Sequence, residues 1–288
     1  MTPSAAIIGL SGPRLTAEEA VLLRARRPAG VILFARNVAD PAQLRTLTAD
    51  IRDILGAEAP ILVDQEGGRV ARLRPPHWEA FPPAASFRNL PEPALRANAT
   101  LLGQACVGAG LDVVCAPVLD LRLPGAHGVI GDRAFSDDPA EVARLGTAFV
   151  AGLQAAGAIP VIKHIPGHGR ATADSHVELP RVTAPKSAMA ADIAPFQALA
   201  GSGAWAMTAH VLYEAWDSVR PATLSPIIVG QVIRTAIGFD GVLVTDDLAM
   251  GALKGTSNDL AVASLDAGCD LVLHCTGRIE ESAALLAT

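Results

Sequence analysis

The sequence predicts an α/β chain closed into a (β/α)8 barrel of the TIM type. Three observations carry that expectation. Eight short runs rich in Val, Ile and Leu recur along the chain, Ala-, Leu- and Glu-rich stretches with helical spacing lie between them, and five of the runs end in polar clusters. The runs begin at Ala5, Gly30, Pro60, Asp112, Ile159, Ala204, Asp240 and Asp270. They are continuously apolar rather than alternating, as strands covered on both faces should be, and such strands pair in parallel. Helices are expected between them, for example over Pro41 to Leu55, Pro139 to Ala156 and Pro226 to Ala236, each opening near Asp, Ser or Pro. A doubly wound open sheet fits the same alternation, but it gathers its chemistry at one switch point. Here the clusters DQEGGR, DL, KHIPGHG, AH and TDD close five different runs, as the catalytic end of a barrel requires. With 288 residues and no repeat, low-complexity tract or linker, one domain over residues 1–288 is expected.

Composition narrows the function classes. Half the residues are hydrophobic and the mean hydropathy is +0.35, yet no apolar run approaches the roughly 20 residues of a membrane span. The start, MTPSAAIIGLSGPR, has no positive residue ahead of its short apolar stretch and ends at Gly-Pro, so no export signal is expected and the protein is placed in the cytoplasm. Cys106, Cys115, Cys269 and Cys275 lie in apolar segments without zinc-site spacing, which suits buried free thiols in a reducing compartment. A net charge of -6 with dispersed arginines argues against nucleic acid as a partner.

Four clusters carry chemistry. Residues Lys163 to Pro180, KHIPGHGRATADSHVELP, crowd three histidines, a lysine, an arginine and an aspartate into a Gly-rich loop directly after an apolar run. Within it Asp174 and His176 are two residues apart, so in extended backbone both side chains point the same way and can pair. A carboxylate beside an imidazole favours the imidazolium and fixes its tautomer, so the pair can give a proton and take one back. Asp246 and Asp247 close GVLVTDDLAM; neighbours on a strand face opposite ways, so only one can enter the site while the other caps or supports the following turn, and the competing explanation is that both cap the next helix. The residues alone leave open which does which. In VDQEGGRVARLR, Asp64 leaves the strand, Gly67 and Gly68 permit a tight turn, and Arg69 and Arg72 follow at helix-like spacing. In VIGDRAFSDDP the Arg133 fork suits a polar ligand, with a salt bridge to Asp132, Asp137 or Asp138 as the competing explanation.

In this order the four clusters resemble glycoside hydrolase family 3, and within it the single-domain bacterial β-N-acetylglucosaminidases of peptidoglycan recycling. The resemblance runs from about Gly30 through DQEGGRV, VIGDRAFSDDP, KHIPGHG and DSHVELP to TDDLAMGAL and SLDAGCDLVL. It implies that Asp246 is the nucleophile, that Asp174 and His176 form the acid/base dyad, and that Asp64, Arg72, Arg133, Lys163 and His164 bind the terminal sugar. It also implies a muropeptide substrate, a carbohydrate partner only, and neither metal nor cofactor. Ile165 stands where the family usually has Phe, and Thr245 and Ala249 where it usually has Ser. Family members usually run some tens of residues past the point matching Thr288, so an abbreviated last helix is expected.

Two-domain relatives recruit the acid from a second domain, so here it is expected from the barrel's own loop at His176. Double displacement through a covalent glycosyl-enzyme follows, as in retaining glycosidases generally. Three other readings remain: a phosphorylase using phosphate in place of water, a Schiff-base enzyme at Lys163, and a metal-dependent hydrolase at His164, His168 and His176. A non-catalytic sugar-binding barrel is the alternative from another class. A monomer is expected.

Overall fold

A computed structural model describes residues 4–125, 128–175 and 177–287. Eight strands lie within or beside the eight apolar runs: β1 (Ser4–Gly9), β2 (Pro28–Leu33), β3 (Ile61–Val63), β4 (Val113–Val114), β5 (Ile159–Ile165), β6 (Trp205–Thr208), β7 (Leu243–Asp247) and β8 (Leu271–His274). Each pairs in parallel with its neighbours. The sheet closes where β8 returns to β1, with Ala6 opposite Val272 and Ile8 opposite His274.

The two-sided apolarity of the runs has a direct cause. Ile7, Ile32, Leu62, Val113, Val161, Met207, Val244 and Leu273, one from each strand, fill the barrel interior. Their neighbours, among them Ile8, Val31, Ile61, Val114, Ile162, Ala206, Leu243 and Val272, point outward under the helices. Burying each such side chain stabilises the fold by roughly 1.5–3 kcal/mol, so neither face of a strand can turn polar until the strand leaves the core.

Around the barrel run α1 (Ala17–Arg26), α2 (Pro41–Leu55), α3 (Glu92–Gly108), α4 (Pro139–Ala155), α5 (Lys186–Leu199), a π-helix (Ile228–Ile237), α6 (Ser257–Ala267) and α7 (Ile279–Leu285). The α2 boundaries follow from chemistry: Asp40 accepts from Ala42 N and Gln43 N at 2.8 and 2.9 Å, and Gly56, at φ 109°, ends the helix. Its buried stripe, Leu44, Leu47, Ile51 and Leu55, has helical period. The helix expected from Pro226 becomes a π-helix beginning at Ile228 and stopped by Gly238 at φ 78°. With seven residues α7 is short, yet it packs on α1 and α6, and the β1–β8 seam beneath it is paired.

One feature was not expected. A two-residue parallel pair, Arg181–Val182 with Leu212–Tyr213, ties the end of the Lys163 to Pro180 loop to the segment after β6. The Tyr213 hydroxyl also donates to Gly167 O at 2.8 Å, fastening the start of the same loop.

Candidate active site

Side chains alternate along a strand, so the residue two places beyond an interior apolar position also points into the barrel. That parity carries Leu62 to Asp64, Val161 to Lys163 and Val244 to Asp246. All three polar side chains line one cavity of about 500 Å³ at the C-terminal end of the barrel. Glu66, Arg72, Arg133, His164, His168 and Asp174 line the same cavity.

At its centre two carboxylates share three cations. Lys163 Nζ lies 2.9 Å from Asp64 Oδ1 and 2.7 Å from Glu66 Oε1. Arg72 reaches Asp64 Oδ2 at 3.1 Å, and Arg133 grips Glu66 with two bonds of 2.8 Å. The Lys163 side chain is 3% exposed and Glu66 6%, so these charges are desolvated and need one another. Burial opposes ionisation of Glu66, but Lys163 and Arg133 outweigh it and push its pKa down to about 2. Asp64 is lowered in the same way, against burial, by Lys163 and Arg72. Burial likewise disfavours the Lys163 ammonium, and Asp64 and Glu66 nevertheless raise its pKa above the ordinary lysine value. A free amine for Schiff-base formation is therefore suppressed.

Asp246 and Asp247 both line the cavity but divide their work. The Asp247 carboxylate accepts from Ala249 N and Cys275 N, both at 3.0 Å, fastening the turn after β7 to the end of β8. Asp246 Oδ1 accepts from Asp247 N at 2.8 Å, and its carboxylate opens to the cavity. Burial works against its charge, but His210, His164 and Lys163 hold its pKa below the ordinary aspartate value.

A second buried carboxylate organises the KHIPGHG segment. Asp120, fully buried, accepts from His164 N at 3.2 Å and His168 N at 2.6 Å, and lies 2.6 Å from His164 Nδ1. With Nδ1 committed there, His164 has Nε2 left for a ligand. His168 Nε2 lies 3.3 Å from Ser175 Oγ, and burial lowers the His168 pKa to about 4, so its ring is neutral near pH 7.

Every expected site residue among those described lines this cavity: Asp64, Arg72, Arg133, Lys163, His164, Asp174 and Asp246. His176 lies outside the described residues. Two expectations are corrected. Arg69 and Arg72 do not share a helix: Gly67 and Gly68, at φ 95° and 56°, reverse the chain, Glu66 N donates to Val70 O at 2.9 Å, and the two arginines diverge. Arg69 joins Asp132 and Arg72 joins Asp64. Arg133 pairs with none of the three aspartates proposed for it. Asp132 is held by Arg69, Asp137 by Arg88, and Asp138 caps α4, which leaves the Arg133 fork for Glu66. Sequence reasoning also passed over Glu66, Asp120 and His210. Glu66 was detectable, because it has the parity of Leu62 and Asp64.

The departures at Thr245 and Ile165 are absorbed locally. Thr245 Oγ1 accepts from Leu273 N at 2.9 Å, joining β7 to β8, and Ile165 is fully buried in the outer core.

Residues 5–288 match the Glycosyl hydrolase family 3 N terminal domain. The chain belongs to glycoside hydrolase family 3. Among its relatives, a Beta-hexosaminidase of Alkalilimnicola ehrlichii is 43% identical over 289 residues, a match covering 93% of this chain and 80% of the relative. A Beta-hexosaminidase of Pseudomonas aeruginosa is 39% identical over 297 residues, covering 98% and 85%. Among solved structures, NagZ from Neisseria gonorrhoeae in complex with N-trifluoroacetyl-D-glucosamine shares 36% identity at a TM-score of 0.91, over 99% of this chain and 85% of that one. A family 3 β-N-acetylglucosaminidase from Paenibacillus sp. str. FPU-7 gives 34% identity and a TM-score of 0.92 over 98% of this chain. This chain spans about half of that enzyme's length, 55%. In this family 3 barrel Asp246 lines the cavity beside the ion pairs of Asp64 and Glu66 with Lys163, Arg72 and Arg133.

Proposed function

We propose that this family 3 enzyme is a retaining β-N-acetylglucosaminidase that removes terminal, non-reducing β-linked GlcNAc from cell-wall muropeptides, GlcNAc-1,6-anhydro-MurNAc with or without its peptide. One observation supports this best. Among the polar groups at the cavity, Asp64 and Glu66 are each bonded by two cations, whereas Asp246 is hydrogen-bonded, among the described residues, only by the neighbouring N–H. A nucleophile must be ionised, oriented and unencumbered, and Asp246 meets all three conditions.

In the first step Asp246 attacks the anomeric carbon. That carbon's bond to the leaving oxygen breaks, and His176, supported by Asp174, gives the oxygen its proton. In the second step His176 removes a proton from water, which displaces Asp246 and leaves the configuration retained. Asp64, fixed by Lys163 and Arg72, accepts from sugar hydroxyls; Lys163, Arg133 and His164 complete the pocket for the terminal sugar. Hydrogen bonds of this kind accelerate the reaction only to the extent that they strengthen in the transition state. The whole of residues 1–288 acts as one catalytic domain, a cytoplasmic monomer needing no cofactor. Among the described residues no helix is long and apolar enough to cross a membrane.

The test is incubation with an aryl β-N-acetylglucosaminide beside the matching β-glucoside, in phosphate and in phosphate-free buffer. Preferential release from the acetamido substrate, with free GlcNAc in both buffers, is expected. Sugar 1-phosphate would convert the reading to a phosphorylase, and binding without turnover would make the chain a sugar-binding barrel.

A further inference from the structure

We propose that His210 is the positioning residue for the nucleophile, holding the backbone of Asp247 so that the Asp247 N–H keeps the Asp246 carboxylate aimed into the cavity. The proposal rests on Asp246 being the nucleophile. His210 follows β6 by two residues and is fully buried, as are its partners Thr208 and Thr223. Its Nε2 lies 3.0 Å from Asp247 O, and its Nδ1 lies 2.7 Å from Thr223 Oγ1. A carbonyl can only accept, so Nε2 carries a proton. In the neutral ring Nδ1 must then accept, and the Thr223 hydroxyl, which also has Ala209 O at 3.2 Å, gives its one proton over the shorter 2.7 Å contact to Nδ1. Thr208 Oγ1, 2.8 Å from Thr223 Oγ1, donates in turn. The chain Thr208 to Thr223 to His210 to Asp247 O therefore has one consistent direction, which the burial of the imidazole preserves by disfavouring its cation.

This chain ends at the segment that holds the nucleophile. Asp247 is fastened at each of its polar groups: its N–H to Asp246 Oδ1, its carbonyl to His210 Nε2 and to Met250 N, each at 3.0 Å, and its carboxylate to Ala249 N and Cys275 N. A purely space-filling role would need none of this polarity, since three fully buried polar side chains cost desolvation that an apolar residue avoids. The charged and titratable groups that act on Asp246 are His210 just after β6, His164 and Lys163 from β5, His168 beyond it, and the thiols of Cys115 and Cys275 just after β4 and β8. Lys163 is already shared between Asp64 and Glu66, and His164 is bound to Asp120. Among these groups His210 is the one whose side chain hydrogen-bonds the backbone of the nucleophile's own strand.

The experiment compares wild type with His210→Ala, His210→Gln and Thr223→Val, using an activated aryl β-N-acetylglucosaminide whose leaving group needs little protonation. For each protein kcat, KM, the acid limb of the pH profile and the melting temperature are measured. His210→Ala should lower kcat by about 10- to 100-fold, the scale of losing nucleophile alignment, with KM little changed. Its acid limb should move to higher pH, because Asp246 loses the fixed Asp247 N–H bond that favours its charged form. His210→Gln places an N–H donor at a similar reach and should recover most of kcat. Thr223→Val keeps the side-chain shape but removes the hydroxyl, and should give a smaller change in the same direction even if His210→Ala does not fold. Unchanged kcat and acid limb in the folded variants would overturn the proposal. So would equal losses in His210→Ala and His210→Gln that track the melting temperature. Covalent labelling of wild type separates the two layers: label away from Asp246 removes the nucleophile assignment itself, whereas label on Asp246 with wild-type behaviour in every variant removes only the role of His210.

Discussion

Glu66 contributes to the site mainly by what it neutralises. It faces Lys163 and Arg133 in a nearly dry setting, and removing one member of such a group leaves the others as uncompensated buried charge. Glu66→Ala should therefore cost about 3–5 kcal/mol in denaturant unfolding, far more than a surface ion pair would. Because its folded pKa of about 2 lies below the ordinary 4.5, its stabilisation is complete above pH 4.5 and is lost as pH falls toward 2. Unfolding free energies measured across that range should fall more steeply for wild type than for Glu66→Gln. Asp64→Ala should weaken binding and slow chemistry together, reducing kcat/KM for the aryl substrate; an undiminished kcat/KM would place Asp64 outside the sugar pocket. At this scale Asp64, Lys163 and Asp246 were legible in the sequence as charges at the ends of apolar runs. The division between Asp246 and Asp247 was not, because parity needs an interior residue as origin, and only the closed barrel identifies Val244 as one.

Among the elements, the strands and the first helices follow from local chemistry, and the loops do not. Helix α2 was legible because Asp40, Pro41 and Gly56 mark its ends. The spacing of Arg69 and Arg72 misled, since three residues apart is also one reversal apart when two glycines intervene. Gly67 shows why that loop is glycine: a Cβ there would sit 2.4 Å from Pro82 O, in backbone at φ 95°. Gly67→Ala should lower the melting temperature and also depress kcat/KM, because the same loop carries Glu66 and Arg72. Depressed stability with intact kinetics would uncouple the loop from the site. The Lys163 to Pro180 loop has its own test. His176→Ala should hurt substrates with poor leaving groups most, and on activated substrates should show a burst as the glycosyl-enzyme accumulates. Equal losses on both substrate classes without a burst would send the search for the acid/base elsewhere in that loop. The π-winding of Ile228–Ile237 was not legible, because its apolar pattern differs too little from that of an α-helix.

For the whole molecule, the decision between a closed barrel and an open sheet was legible in where polarity lies. Five apolar runs end in polar clusters at one end of the closed eight-stranded barrel; three of the clusters line the cavity, and Asp120 and His210 from the other two hydrogen-bond His164 and Asp247, which line it. The short α7 leaves the seam intact because closure is made by the β1–β8 pairing and by the interior layer to which each strand contributes. What distance along the chain concealed is the convergence: Asp120 reaches His164 across 44 residues, and Lys163 reaches Asp64 across 99. The central proposal is that Asp246 is the nucleophile. The most direct measurement is mass spectrometry of peptides after exposure to a 5-fluoro glycosyl fluoride of the GlcNAc series. A glycosyl label on Asp246 is the predicted result, and label on Asp247, or turnover of the aryl substrate with no covalent adduct, would contradict it.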